Sequence, residues 1–248
     1  MTYHTFILCW MALAGGIFLY LLYKPAPYGR YVSRHWGPMI PNRTGWFIME
    51  LTVLVALFAR LLPFRSAPSL PVAVMVGFFC LHYVNRSILF PLRMKTRGKE
   101  MPLIIVLSAM AFNTVNGSLL GIWFSRLAGY SDRWLLDPRF IGGTLLFFVG
   151  FIINGMADTR LFRLRQGRDT GYHIPAGWLF DYISSPNLLG EIIEWTGYAV
   201  LTWSEPGLAF LVWTCANLVP RALANHAWYK AQFPAYPGER KALLPFLV

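Results

Sequence analysis

The chain has 248 residues, 56% of them hydrophobic, 17% aromatic and only 13% charged, with a mean hydropathy of +0.47. Soluble domains carry about 25% charged residues, so this composition excludes an ordinary soluble globule and predicts an all-α integral membrane protein. The net charge of +11 does not mark nucleic-acid binding, because the basic residues are scattered in short segments between apolar runs and form no single patch.

Apolar runs of the length that spans a bilayer, about 17–25 residues, fall at 3–23, 46–63, 71–90, 102–125, 140–163, 187–203 and 206–224. Seven transmembrane helices are expected. The first has no basic segment before it and Lys24 directly after it, so it reads as a helix and not as a cleaved leader. Proline and polar clusters separate the runs, except that only a couple of residues part the sixth from the seventh. Lys and Arg number four each in 24–43, 93–99, 160–168 and the tail, all on the side of the C-terminus. Five fall on the other side and Arg86 lies inside a span. The imbalance predicts a cytoplasmic C-terminus and an N-terminus outside. No repeat or long linker divides the chain, so 1–248 is expected to form one membrane domain. Cys9, Cys80 and Cys215 lie in three different spans without ligand spacing, and neither a disulfide nor a metal site is implied.

Ionisable groups inside spans are expensive and therefore informative. In the second span stands Glu50, in Trp46-Phe-Ile-Met-Glu50-Leu. The third holds His82-Tyr83 and Asn85-Arg86. A carboxyl group kept neutral by burial, together with a phenol, would offer two donors to a ligand carbonyl, as an oxyanion hole does. The blander alternatives are an inter-helix tie for Glu50 and an aromatic filler for Tyr83.

The fifth span carries Asn154, Asp158 and Arg165 at i, i+4 and i+11, one stripe of a helix that ends in the cluster Arg160, Arg163, Arg165 and Arg168. Guanidinium groups there suit phosphate, whereas Asn154 and Asp158 could equally form helix–helix hydrogen bonds. In the sixth span Asn187, Glu191, Glu194 and Tyr198 follow the i, i+4, i+7, i+11 spacing of one face. The seventh continues into Arg221, Asn225 and Tyr229. Three helices thus present amides, acids, arginines and phenols to one cytoplasm-facing cavity. That assortment fits a ligand with carboxamide, ribose and phosphate groups. No GxGxxG, P-loop, GxSxG or HExxH motif is present, so a nucleotide site here is not of the Rossmann kind.

These segments, together with Phe79-Cys-Leu-His82-Tyr83, Ala111-Phe-Asn-Thr-Val-Asn116-Gly117, Tyr172-His-Ile-Pro175, the run Asn187 to Ala199 and the tail Tyr236 to Phe246, resemble the steroid 5-alpha-reductase family (3-oxo-5-alpha-steroid 4-dehydrogenases), with this chain a bacterial-type member. The similarity runs from about residue 46 to the end. It implies a membrane oxidoreductase that uses NADPH to saturate the carbon 4–5 double bond of 3-oxo-delta-4 steroids, with hydride going to carbon 5 and a proton to carbon 4. By position, Glu50 and Tyr83 resemble the catalytic pair that holds the steroid 3-oxo oxygen, with Asn116 on the substrate side. Asn154, Asp158, Arg165, Tyr172, Asn187, Glu191, Tyr198, Arg221 and Tyr229 resemble the NADPH pocket. The resemblance divides the chain into 1–126, mainly for substrate, and 140–248, mainly for NADPH. It also implies a monomer in the bilayer, without metal, in the cytoplasmic membrane of a bacterium or the endoplasmic reticulum of a eukaryote. Three positions depart from the family pattern: His173 stands where arginine is common, and Asn225 and Asn85 where histidine is common. Rival readings are another enone or lipid reductase of polyprenol or enoyl-CoA type, a membrane methyltransferase of isoprenylcysteine type, and a non-enzymatic sterol-binding or transport protein.

Overall fold

In the computed structural model the described residues are 1–62, 68–95, 98–164 and 171–247. Helices α1 (Tyr3–Tyr23), α2 (Asn42–Leu61), α3 (Leu70–Arg93), α4 (Leu103–Leu127), α5 (Pro138–Leu164) and α7 (Glu205–Gln232) are each long and apolar enough to cross a membrane. Between the last two lies the shorter α6, Pro186–Thr202. The chain is a multi-pass integral membrane protein. Its elements group into two compact units, Ala26–Ile141 and a second made of Met1–Pro25 with Gly142–Val248.

In the unit of Ala26–Ile141, α2 and α4 pack backbone against backbone. A methyl group on Gly117 would collide with the Val53 carbonyl, and one on Gly121 would come 2.8 Å from that of Leu57, so only glycine permits this approach. Asn113 on α4 adds a buried tie, its Nδ2 donating to the Met49 carbonyl at 2.6 Å. A small antiparallel clasp that the sequence does not announce precedes the two helices: β1 (Met39–Pro41) pairs with β2 (Glu100–Pro102), Ile40 opposite Met101. The clasp is short, and Pro41 and Pro102 lack the N–H that a longer ladder needs. In α3 the turn Asn85–Leu89 is of π type, and the Ser87 hydroxyl donates to the Tyr83 carbonyl at 2.6 Å. Wider turns of this kind cluster at functional sites. At the other end of the unit, the Asp137 carboxylate accepts from the Arg139 backbone N–H at 2.9 Å and from its guanidinium at 2.8 and 2.9 Å. Those bonds hold the carboxyl well below its ordinary range, at about 2, and set the start of α5.

In the second unit α5 and α6 meet at glycines spaced seven apart on each helix. A Cβ on Gly150 would strike the Glu194 backbone, one on Gly190 that of Asn154, and one on Gly197 that of Phe147. The α6–α7 turn is tight: Trp203 adopts a left-handed conformation (φ 43°), and the Ser204 side chain accepts from Gly207 N at 3.1 Å as the N-cap of α7. The helix α1 packs on α7, with Trp10 and Trp213 ring centres 4.5 Å apart and His4 2.8 Å from Glu205. After α7 the tail folds back, where Ser184 N donates to the Lys241 carbonyl at 2.8 Å and Lys241 N to that of Tyr182 at 2.9 Å. Expected and observed helices agree to within a few residues, except that α7 runs on to Gln232.

Candidate functional site

The candidate groups fall into two sets, one in each unit. In the first, Trp46 opens α2 and its ring lies 5.2 Å from that of Phe90, near the end of α3. The Arg86 guanidinium caps both rings, its Cζ 4.7 Å from the Trp46 centre and 4.4 Å from that of Phe90, a cation–π cluster that accommodates a charge in an apolar unit. The start of α2 therefore meets the end of α3, and the two helices run antiparallel. Glu50 lies one turn on from Trp46, and Tyr83 about one turn back from Arg86, which brings both to the same level of the helix pair. Tyr83 is 4% exposed, packed on Phe79 at 4.8 Å and on His82 at 5.0 Å between ring centres. Glu50 is half-buried. Asn116 is buried, and its Nδ2 donates to the Phe112 carbonyl of its own helix at 2.8 Å. Sequence reasoning singled out Asn116 and passed over Asn113, which holds the backbone beside Glu50. One polar residue in a long helix looks like another until its partner is seen.

In the second unit the α5 stripe faces α6. Asn154 is buried and its Nδ2 donates to the Asn187 carbonyl at 3.0 Å, so this amide ties the two helices and leaves its Oδ1 for a ligand N–H. Asp158 is buried one turn further along. Arg165 and Arg168 lie outside the described residues. Of their cluster, Arg160 is described with its Cζ 5.6 Å from the centre of the Trp178 ring. On α6, Glu194 and Tyr198 are fully buried while Asn187 and Glu191 are half-buried. Tyr198 packs on Trp195, 5.6 Å between centres, and on Phe147 at 6.3 Å.

On α7, Arg221 and Asn225 are half-buried and Tyr229 is buried. The Oδ1 atom of Asn225 is shielded from solvent with no hydrogen-bond partner among the described residues. A buried acceptor left in that state costs about 1–3 kcal/mol, and a ligand N–H would relieve it. Tyr172 packs edge-on against Trp228 at 5.0 Å, and Tyr229 stacks face to face on Tyr236 at 5.4 Å. Amide, carboxylate, guanidinium and phenol groups thus stand on α5, α6 and α7, where Asn154 ties α5 to the start of α6 and Leu188 and Leu189 pack that start on Leu218 and Ala222 of α7. No group of three or more His, Cys, Asp or Glu among the described residues could hold a metal.

The tail was legible only as a motif. The structure gives it contacts: Arg240, 7% exposed, donates through Nη1 to the Pro175 carbonyl at 2.9 Å and lies 3.9 Å from Asp181. Asp181 in turn accepts from Gly177 N at 2.7 Å. The Arg240–Pro175 bond joins residues 65 apart in sequence, and no periodicity reveals it.

The family profile described as 3-oxo-5-alpha-steroid 4-dehydrogenase matches residues 99–248. Over 247 residues the chain is 40% identical to 3-oxo-5-alpha-steroid 4-dehydrogenase 1 of Bos taurus, covering 97% of this chain and 96% of that protein. It is 40% identical over 245 residues to a steroid 5-alpha-reductase of Gossypium hirsutum, covering 96% and 93%. With 3-oxo-5-alpha-steroid 4-dehydrogenase 2 of Homo sapiens it shares 40% over 238 residues, covering 94% and 92%.

Proposed function

Because the chain belongs to the 3-oxo-5-alpha-steroid 4-dehydrogenase family of membrane oxidoreductases, we propose that it reduces the carbon 4–5 double bond of 3-oxo-delta-4 steroids with NADPH, giving 5-alpha-3-oxo products. The observation that carries this reading is identity of 40% along nearly the whole chain to relatives from cattle and human named 3-oxo-5-alpha-steroid 4-dehydrogenase and to one from cotton named steroid 5-alpha-reductase.

The second unit's donor set fits the cofactor, since carboxylates accept from ribose hydroxyls, guanidinium groups hold phosphate, and the solvent-shielded Oδ1 of Asn225 lacks a donor among the described residues. Asn154, Asp158, Tyr172, Asn187, Glu191, Tyr198, Arg221 and Tyr229 would hold NADPH, with Arg165 on its 2′-phosphate. When bound, the cofactor supplies the hydride that carbon 5 receives. The chain's own groups act on the steroid. Tyr83 and a protonated Glu50 donate to the 3-oxo oxygen, which withdraws electrons from the conjugated double bond and makes carbon 5 electrophilic. The same donors stabilise the enolate oxygen until carbon 4 is protonated. Asn116 belongs to the substrate side. Burial strengthens these hydrogen bonds by keeping water away. The enzyme works as a monomer with seven spans, N-terminus outside and C-terminus cytoplasmic.

Purified protein incubated with NADPH and a panel of enones tests the reading. Loss of absorbance at ~340 nm with a mass gain of ~2 Da in a delta-4 3-oxo steroid is expected, and a clear preference over NADH should follow from an arginine on the 2′-phosphate. Turnover of a polyprenol or enoyl thioester but of no steroid would overturn the substrate assignment. Equal rates with NADH would overturn the phosphate contact.

A further inference from the structure

The Ser184 hydroxyl, 6% exposed, sits where the segment before α6 meets the tail. Its Oγ lies 2.6 Å from His226 Nδ1, 2.6 Å from the Tyr236 hydroxyl and 3.1 Å from the Lys241 carbonyl. A hydroxyl has one proton to give and two lone pairs to receive with. The Lys241 carbonyl can only accept, so Ser184 donates there. The other two contacts are then both satisfied in one way: His226 Nδ1 and the Tyr236 hydroxyl each donate to Ser184 Oγ. With all three bonds made at once, this proton count calls for an imidazole that carries a proton on Nδ1.

Every member of the cluster adjoins a group assigned above to the cofactor. Ser184 precedes Asn187 by three residues, and the Asn187 carbonyl receives the Asn154 amide at 3.0 Å. His226 follows Asn225, whose Oδ1 is shielded and has no partner among the described residues. The Tyr236 ring stacks on Tyr229 at an interplanar angle of 9°. One hydroxyl therefore joins the start of α6, the end of α7 and the tail.

We propose that Ser184, His226 and Tyr236 are positioning residues that hold Asn187, Asn225 and Tyr229 in the register that NADPH binding requires. The proposal rests on the NADPH reading. Its test compares Ser184→Ala, Tyr236→Phe, their double and Ser184→Thr, which keeps a hydroxyl, in the full-length protein in detergent. Wild-type NADPH binding is measured first, by thermal shift and cofactor fluorescence; its absence would sink the NADPH reading and the proposal together. Where wild type binds, Ser184→Ala and Tyr236→Phe should each raise the NADPH KM about tenfold, the scale of a lost buried hydrogen bond, with the steroid KM within about twofold. The double should be no worse than the poorer single, because the groups act as one unit, and Ser184→Thr should restore most of the affinity. An unchanged NADPH KM in folded variants would overturn the hub alone. So would a parallel loss of both KM values and kcat in proportion to unfolded protein, since that is what a purely structural tie produces.

Discussion

Tyr83 separates packing from chemistry more cleanly than any other residue here. Its ring is fixed by Phe79 and His82, so Tyr83→Phe keeps the packing and removes only the O–H. Turnover of a delta-4 3-oxo steroid should fall roughly 100- to 1000-fold, the usual consequence of losing an oxyanion donor, with the NADPH KM nearly unchanged. Glu50→Gln should be milder than Glu50→Ala because an amide can still donate, and the double with Tyr83→Phe should be non-additive. Near-normal turnover by Tyr83→Phe would return this residue to the core. Glu191 gives the matching test for the cofactor: Glu191→Gln preserves shape but ends the carboxylate's pure acceptor character, and a folded variant should lose the thermal shift that NADPH induces. An undiminished shift would make Glu191 a helix-packing residue. Both candidates were legible because a carboxylate or phenol in an apolar run demands a reason. Asn113 and Ser184 were not, since their partners, the Met49 carbonyl for the first and His226, Tyr236 and the Lys241 carbonyl for the second, are distant in sequence.

Hydropathy places helix cores well, and between helices the informative residue is glycine, which hydropathy ignores. Gly150 and Gly155 lie on the same helix and look alike in sequence. A Cβ on Gly150 would meet the backbone of Gly190 and Glu194, whereas one on Gly155 would meet nothing within 4 Å. Gly150→Ala should therefore force α5 away from α6 and lower the Tm sharply. Gly155→Ala should be neutral or stabilising by up to about 1 kcal/mol from helix propensity. Thermal unfolding of the two variants in detergent decides the matter, and equal behaviour would mean that the close α5–α6 contact is not what holds Asn154 against Asn187. The β1–β2 clasp and the extension of α7 to Gln232 escaped sequence reasoning for related reasons. Three-residue strands have no period to detect, and the last turns of α7 are polar.

At the scale of the whole chain, topology turns on whether α6 spans. Its 17 residues rise about 26 Å, a little short of a hydrocarbon core of about 30 Å, and its polar face lowers its apparent hydropathy. Much of that face is shielded: Glu194 and Tyr198 are fully buried, and Asn187 and Glu191 half-buried, between α5 and α7. A helix shielded in this way can cross without being apolar all round, and local thinning of the bilayer absorbs the remaining mismatch at modest cost. Spanning fixes parity. With seven crossings the termini lie on opposite sides, and the excess of Lys and Arg in 24–43, 93–99, 160–168 and the tail puts the C-terminus in the cytoplasm. With six they share a side. Reporter fusions that are active only in the cytoplasm or only outside, placed in turn on each end of the full chain, should read outside for the N-terminus and cytoplasm for the C-terminus. The same reading from both ends would mean that α6 does not cross, and that Glu191 and Asn187 reach their ligand from a re-entrant helix.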